Sequence, residues 1–236
     1  MKFPDPLIPG TLVKRYKRFL ADVTLASGDV VTAHCANPGS MLSVNAPGSE
    51  VWLSPARNPE RKLRYSWELI RIGETLVGIN TGHPNALVEE AVRAGAIPEL
   101  AGYGTIRREV KYGKNSRIDL LLEDGRRPKC YVEVKNVTMR RDLSPAGAAE
   151  FPDAVTERGA KHLRELADMV KEGARAAMLF LAQRSDSRRF TIAADIDPTY
   201  AAGLKAAMAA GVEVLCYGCR LNPQGIRVDK PLELAL

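Results

Sequence analysis

No apolar run in these 236 residues approaches the roughly 18 that a membrane-spanning helix needs. The opening MKFPDPLIPG is interrupted by three prolines and has no continuous apolar core, so it does not read as a signal peptide, and a cytoplasmic setting is expected. Cysteine is scarce. Cys35, Cys130, Cys216 and Cys219 are then expected as reduced, free thiols. Cys216-Tyr-Gly-Cys219 has the spacing of half a zinc site, but no second pair completes it, which leaves structural zinc as the minor alternative. The three histidines, His34, His83 and His162, are widely separated, so a histidine metal site or a serine triad would need all its parts from distant places. GxSxG, P-loop and GxGxxG patterns are missing, as are internal repeats and low-complexity tracts.

What is present is an ordinary globular composition, 45% hydrophobic, with a formal charge of +6 and a pI near 9.2. That balance leans towards a polyanionic partner. Residues 1–80 hold 10 Lys/Arg against 7 Asp/Glu and the remainder 24 against 21, so each part carries +3 and no basic tail exists. Residues 11–80 read as about five short strands, from TLVKRYKRFLADVTL to TLVGIN, separated by turn-forming clusters. Such a segment suits a small barrel of the OB type. Its first strand interleaves Lys14, Arg15, Lys17 and Arg18 with Tyr16 and Phe19. The basic side chains are expected to track a phosphate backbone, and the aromatic rings are expected in the core rather than stacked on bases. His34-Cys35-Ala36-Asn37-Pro38-Gly39-Ser40-Met41 is a strand end entering a turn, with no assigned chemistry. Arg57, Arg61, Lys62 and Arg64 form a second basic loop, solvated or functional.

The chain is organised around Arg117 to Val137, RIDLLLEDGRRPKCYVEVKNV, two strands joined by Asp-Gly and Pro punctuation. A loop over residues 124–128 pairs Glu123 with Lys129, and so sets Asp119 opposite Glu133 and Arg117 opposite Lys135. Alternation then puts Asp119, Glu133 and Lys135 on one face, and Ile118, Leu120, Leu122, Val132 and Val134 on a core face. Facing like charges destabilise a sheet. Either a hard divalent cation with oxygen ligands sits between the two acids, or the face is solvated in another register.

Asp119 followed by Glu133-Val134-Lys135 looks like the core of the PD-(D/E)xK nuclease superfamily, with Arg-Ile-Asp where the name expects Pro-Asp. KRYKRFLADV, HCANPGSM, EVKYGKNSRID, YVEVKNVT and FPDAVTERGAKHLREL together resemble the sugar fermentation stimulation protein family, from about Leu12 to the last strand. The resemblance implies an α/β protein. An N-terminal all-β OB-like barrel (1–80) precedes a PD-(D/E)xK nuclease-like α/β domain (81–236) with a mixed central sheet flanked by helices. It also implies Mg²⁺ or Mn²⁺ at Asp119 and Glu133, Lys135 beside them, and a third acid lent by the domain's first helix. Glu90 is preferred to Glu89 for that acid, with Glu109 on the strand IRREVKYG as rival; two acids in a first turn equally serve the helix dipole.

Asn85 is read as the N-cap of the helix ALVEEAVRAGA, and Gly95 as marking its end. RRDLSPAGAAEFP is a loop able to cover the site. In DAVTERGAKHLRELADMVKEG, Val155, Leu163, Leu166 and Val170 face inward, while Arg158, Lys161, His162 and Glu165 share another face. There Arg158 and Lys161 are expected to contact phosphates, a solvated face being the alternative. The primary expectation is a metal-dependent phosphodiesterase acting on single- or double-stranded DNA. The rival is a DNA-binding regulator of sugar utilisation that keeps the nuclease fold as a platform, as members of the resembled family are described.

Overall fold

The computed structural model describes residues 1–113 and 115–236; Lys114, within the EVKYGKNSRID stretch, lies outside them. Six strands form the N-terminal unit: β1 (Ile8–Tyr16), β2 (Leu20–Leu25), β3 (Val30–Cys35), β4 (Glu50–Pro55), β5 (Tyr65–Ile72) and β6 (Thr75–Gly78). They run in the order β3-β2-β1-β4-β5-β6, and a parallel β3–β5 pairing closes the first five into a barrel. Closure removes the open edges. Alternate residues such as Leu12, Val23, Leu53, Trp67 and Ile70 fill the interior.

The stretch read as one first strand is two. Lys17 and Arg18 adopt positive φ (48° and 64°) in the three-residue turn, Lys17 to Phe19, that joins Tyr16 of β1 to its partner Leu20 of β2. Phe19, expected in the core, emerges from this turn 46% exposed.

The second unit is built on a six-stranded mixed sheet, β14-β13-β11-β9-β8-β7. Its strands are β7 (Thr105–Tyr112), β8 (Ser116–Asp124), β9 (Arg127–Val137), β11 (Arg175–Ala182), β13 (Glu213–Asn222) and β14 (Gly225–Pro231). β9, β11 and β13 are parallel, and the outer pairs antiparallel. Helix α1 (Pro84–Arg93) covers one face through Leu87, Val88, Ala91 and Val92, while α2 (Glu157–Lys171) and α3 (Pro198–Ala209) cover the other through Leu163, Leu166, Tyr200 and Leu204. Short parallel strands β10 (Ala149–Phe151), β12 (Arg189–Ile192) and β15 (Glu233–Leu234) form a small separate sheet. Trp52 and Leu69 of the barrel join the α1-side core, and the Gly78 amide donates to the Gln183 carbonyl past the end of β11. The two units therefore share buried surface.

Three local expectations change. The β8–β9 turn is shorter than expected, with Asp124 paired to Arg127 and the Asp124 carboxylate accepting from the Arg126 amide at 2.9 Å. A bulge between Leu122 and Asp124 restores the register, so Leu122 meets Cys130 and Leu120 meets Val132, in phase with Asp119 facing Glu133. Arg117 pairs with Lys111 of β7 instead of Lys135, and Ile118 packs with Leu121 on the α2 side rather than with Leu120. Strict alternation thus breaks at Asp119. Val155 lies before α2 and is 71% exposed, because Thr156 caps the helix by accepting from the Gly159 amide.

Candidate active site

The break at Asp119 is what makes the site. Opposite it on β7, Glu109 has φ of 53°, and beyond Leu120 and Val132 the β8–β9 ladder ends. The diverging strands leave the Val134 amide without a ladder partner, and Asp119 Oδ2 accepts it at 2.7 Å. Asp119 Oδ1 accepts from Asn85 Nδ2 at 2.7 Å. Asn85 is therefore a side chain of the site and not the helix cap. That position falls to His83, which makes no side-chain cap bond, with Pro84 beginning α1.

Glu133 is 2% exposed. Its Oε1 receives Lys135 Nζ at 2.7 Å and also contacts His162 Nδ1, whereas Oε2 is buried without a hydrogen-bond partner among the described residues. Arg158 Nε donates to His162 Nε2 at 3.4 Å, an arrangement that leaves the imidazole proton on Nδ1, pointing at Glu133. Burial alone would raise the Glu133 pKa, but the hydrogen bond from His162 and the charge of Lys135 outweigh it and hold the carboxyl below its ordinary value. Asp119 goes the other way. Burial first, and then the charge of Glu133, push it up to about 6.

These groups line a cleft of about 420 Å³ whose opposite wall is the barrel segment Asn37, Pro38 and Gly39. Asn37 Oδ1 accepts from the Gly39 amide at 2.9 Å, and its Nδ2 donates to the Ile79 carbonyl at 3.1 Å. A Cβ on Gly39 would lie 2.8 Å from an Asp153 carboxylate oxygen, so any larger residue there would push that carboxylate aside. Asp153 Oδ2 in turn accepts from the Met41 amide at 2.8 Å, tying the barrel to the segment before α2. The HCANPGSM stretch, to which sequence gave no chemistry, is the wall of the cleft.

The remaining sequence-selected residues divide. Arg158 lines the cleft. Lys161 does not; it lies 3.6 Å from Glu165 and lines a separate depression with Lys111 and Arg164. His162 and Glu165, expected on a charged outer face, are buried. Glu90 is turned away from the site and takes the Met1 ammonium at 2.8 Å, because it lies about 140° around the helix from Asn85. Glu89 pairs with Arg93 at 2.8 Å, and Glu109 is exposed and outside the cleft. None of the three candidates supplies a third acid. Among the described residues, no group of three or more His, Cys, Asp or Glu is arranged to hold a metal ion. All four cysteines are buried and free.

On the barrel, Lys17 and Arg18 are exposed at the turn, and Lys14 lies 3.7 Å from Asp22 with its ammonium 5.3 Å from the Tyr16 ring centroid. Arg15 points inward. Its guanidinium donates to the carbonyls of Asn37 and Gly39, both at 2.9 Å, so it braces the cleft wall instead of offering its charge to a phosphate. Sequence reasoning missed Asn85 and His162. The signals were a polar residue one turn before Glu89, and a histidine adjoining the inward stripe at Leu163.

Comparison with known proteins agrees over the whole chain. A family model described as the SfsA N-terminal OB domain matches residues 13–79, and one described as the sugar fermentation stimulation protein RE domain matches residues 82–225. Proteins named sugar fermentation stimulation protein homolog from Rhodospirillum rubrum and Rhodospirillum centenum are 62% and 63% identical, over 99% and 100% of this chain and 99% and 100% of theirs. The solved structure of Pyrococcus furiosus SfsA in complex with Ca²⁺ superposes with a TM-score of 0.89 at 27% identity, covering 100% of this chain and 98% of that one. With its OB-like barrel and its mixed-sheet domain both matched, this chain belongs to the sugar fermentation stimulation protein family.

Proposed function

We propose that the protein binds nucleic acid and hydrolyses phosphodiester bonds of DNA at the Asp119–Glu133–Lys135 cleft with Mg²⁺ or Mn²⁺. The observation that carries this reading is the pair of adjacent carboxylates, one of which keeps a buried oxygen, Glu133 Oε2, with no partner. A buried acceptor of this kind is costly unless something fills it. Mg²⁺ is commonly held by one or two carboxylates together with waters and substrate phosphates, so Asp119 and Glu133 suffice without a third acid. The Ca²⁺ complex of the Pyrococcus furiosus relative supports a hard cation in this family. A bound divalent ion would lower the pKa of a water and offset charge on the phosphate.

The chain's own residues do the rest. Asn85 and the Val134 amide fix the Asp119 carboxylate. His162 and Lys135 hold Glu133 by Oε1, which leaves Oε2 as the oxygen that would take a cation. Lys135, beside two anions, acts as a fixed positive charge towards the attacking water and the oxyanion of the transition state. Arg158 neutralises the phosphate at the cleft mouth.

A second reading, a DNA-binding regulator that retains the fold as a platform, is favoured because no third acid among the described residues is grouped with Asp119 and Glu133 to hold a metal. One experiment separates the two. Mn²⁺ binding is followed by calorimetry while labelled single- and double-stranded DNA is assayed for cleavage, in wild type and in Glu133→Gln. Metal binding with cleavage, both lost in the variant, is the expected result. Metal binding without cleavage of either DNA overturns hydrolysis and leaves the regulator.

A further inference from the structure

The hairpin tip joining β1 to β2 carries an arrangement that the cleft does not use. Phe19 is 46% exposed, and its ring lies almost parallel to that of His34, at 14° with centroids 6.5 Å apart. Burial and then the charge of Arg61 lower the His34 pKa, so at neutral pH the imidazole is an uncharged ring. Arg61 reaches this place because its guanidinium donates to Ser66 Oγ at 2.9 Å, and Ser66 is paired with His34 across the β3–β5 seam. Lys17 and Arg18, the two residues before Phe19 in the same turn, are both exposed and both at positive φ. That backbone normally goes to glycine or asparagine, so long basic residues there are strained. An exposed aromatic ring beside a second ring, with two exposed cations in its own turn and Arg61 near its partner ring, offers the two features single-stranded nucleic acid is held by, a stacking face and positive charge.

The tip is also continuous with the cleft. Arg15, from the stem of the same hairpin, donates to the Arg18 carbonyl at 3.2 Å and to the Asn37 and Gly39 carbonyls of the cleft wall at 2.9 Å. Arg15 therefore links the tip directly to the wall.

We propose that the Phe19–His34 pair is a stacking platform for an unpaired base of a single-stranded nucleic acid, with Lys17, Arg18 and Arg61 along its backbone. The inference rests on the reading of the adjoining cleft as a nucleic-acid site and deepens it by naming the strand state. In a duplex both faces of each base are covered by neighbours, so an exposed ring on a convex hairpin reaches only a base that is already unpaired. The platform selects single strands or single-stranded flanks and positions them along the wall towards Asp119 and Glu133.

The test uses the full chain in EDTA, so that binding is read without the cation site. Fluorescence anisotropy compares a labelled oligothymidylate with a blunt hairpin duplex. Phe19→Ala is expected to weaken oligothymidylate binding roughly 5- to 150-fold, the range of one lost base–aromatic stack, and to leave the duplex unchanged. Phe19→Trp is expected to retain affinity, with indole fluorescence quenched by the oligonucleotide. Equal loss on both probes, or no loss on either, overturns the platform, as does an unquenched tryptophan at saturating oligonucleotide. Failure of the cleft reading shows differently: wild type binds the oligothymidylate through Phe19 but cleaves no DNA when Mn²⁺ is restored.

Discussion

The two sides of the cleft are made of different material. The barrel wall, Asn37 to Ser40, is shaped by backbone: an Asn side chain folded onto its own turn, a glycine packed against the Asp153 carboxylate, and carbonyls collected by Arg15. The sheet floor is made of titratable side chains: Glu133, Lys135 and His162 held by one another, and Asp119 held by Asn85 and the Val134 amide against the charge of Glu133. A wall of this kind fixes shape and is sensitive to volume. The floor fixes charge and is sensitive to isosteric changes that alter only a proton. Substitutions on the two sides should therefore fail in different ways.

The largest effects belong to the floor. Glu133→Gln and Lys135→Ala should each reduce cleavage by at least about a hundredfold while DNA affinity is retained, as read by single-turnover kinetics beside anisotropy. Asp119→Asn should do the same and also raise the apo melting temperature. Burial and Glu133 raise the folded-state pKa of Asp119 from 3.8 to about 6, so its ionised form disfavours the fold, by up to about 3 kcal/mol at neutral pH. Flipping the Asn85 amide keeps the new asparagine hydrogen-bonded, and Mn²⁺ should then stabilise wild type more than the variant. A variant no more stable than wild type without metal would mean that the two acids do not strain the floor.

The wall should respond to volume. Gly39→Ala places a methyl 2.8 Å from the Asp153 carboxylate that receives the Met41 amide. Loss of about 1–3 kcal/mol is expected in denaturant unfolding, with Mn²⁺ affinity per folded molecule unchanged. A fall in metal affinity without loss of stability would erase the distinction between wall and floor.

The seam between the two units gives a pH test. Glu68 of β5 is buried and accepts from Ser54 Oγ at 2.7 Å and Asn80 Nδ2 at 2.9 Å, with His83 just before α1 at 2.7 Å. Burial would raise its pKa, but these partners, His83 foremost, bring it below 4.5. A depressed carboxyl contributes stability above its unfolded pKa and loses it as pH falls through the folded value. The gap between wild type and Glu68→Gln, about 1–3 kcal/mol at neutral pH, should therefore close below about pH 4.5. A gap constant down to pH 3 would show that Glu68 contributes by shape alone.

The smallest effects lie at the rim. Arg158→Ala should lower DNA affinity equally on unrelated sequences and reduce the salt slope by about one, whereas Lys161→Ala, outside the cleft, should leave that slope unchanged. Equal slopes for both variants would extend the binding surface around α2.

Much of this was legible in the chain. The alternation of RIDLLL and YVEVK, with Asp-Gly between them, specifies a register that sets Asp119 against Glu133, and a two-residue turn with a bulge gives the same phase as a longer loop. Punctuated short strands before residue 80 specify a barrel, since only closure satisfies so many edges. The errors have a common form. Asn85 has the local preferences of a cap and acts as a hydrogen-bond donor to a residue 34 positions away. Glu90 lies at the border of the apolar stripe, but α1 rests on the sheet with that side towards β14 and Met1. His162 shares an apparent polar face with Arg158, yet α2 docks so that this face covers Glu133.

By itself, then, the sequence determined the two units, the register of the central hairpin and the identity of the three charged groups on it, because strand alternation and turn chemistry act between near neighbours. Tertiary structure alone decided which helical side chains meet those groups, that a barrel loop forms the facing wall, and that Arg15 braces while Phe19 is bare. The rotation of a helix about its own axis is set by the surface it buries, and that surface comes from residues far away in the chain.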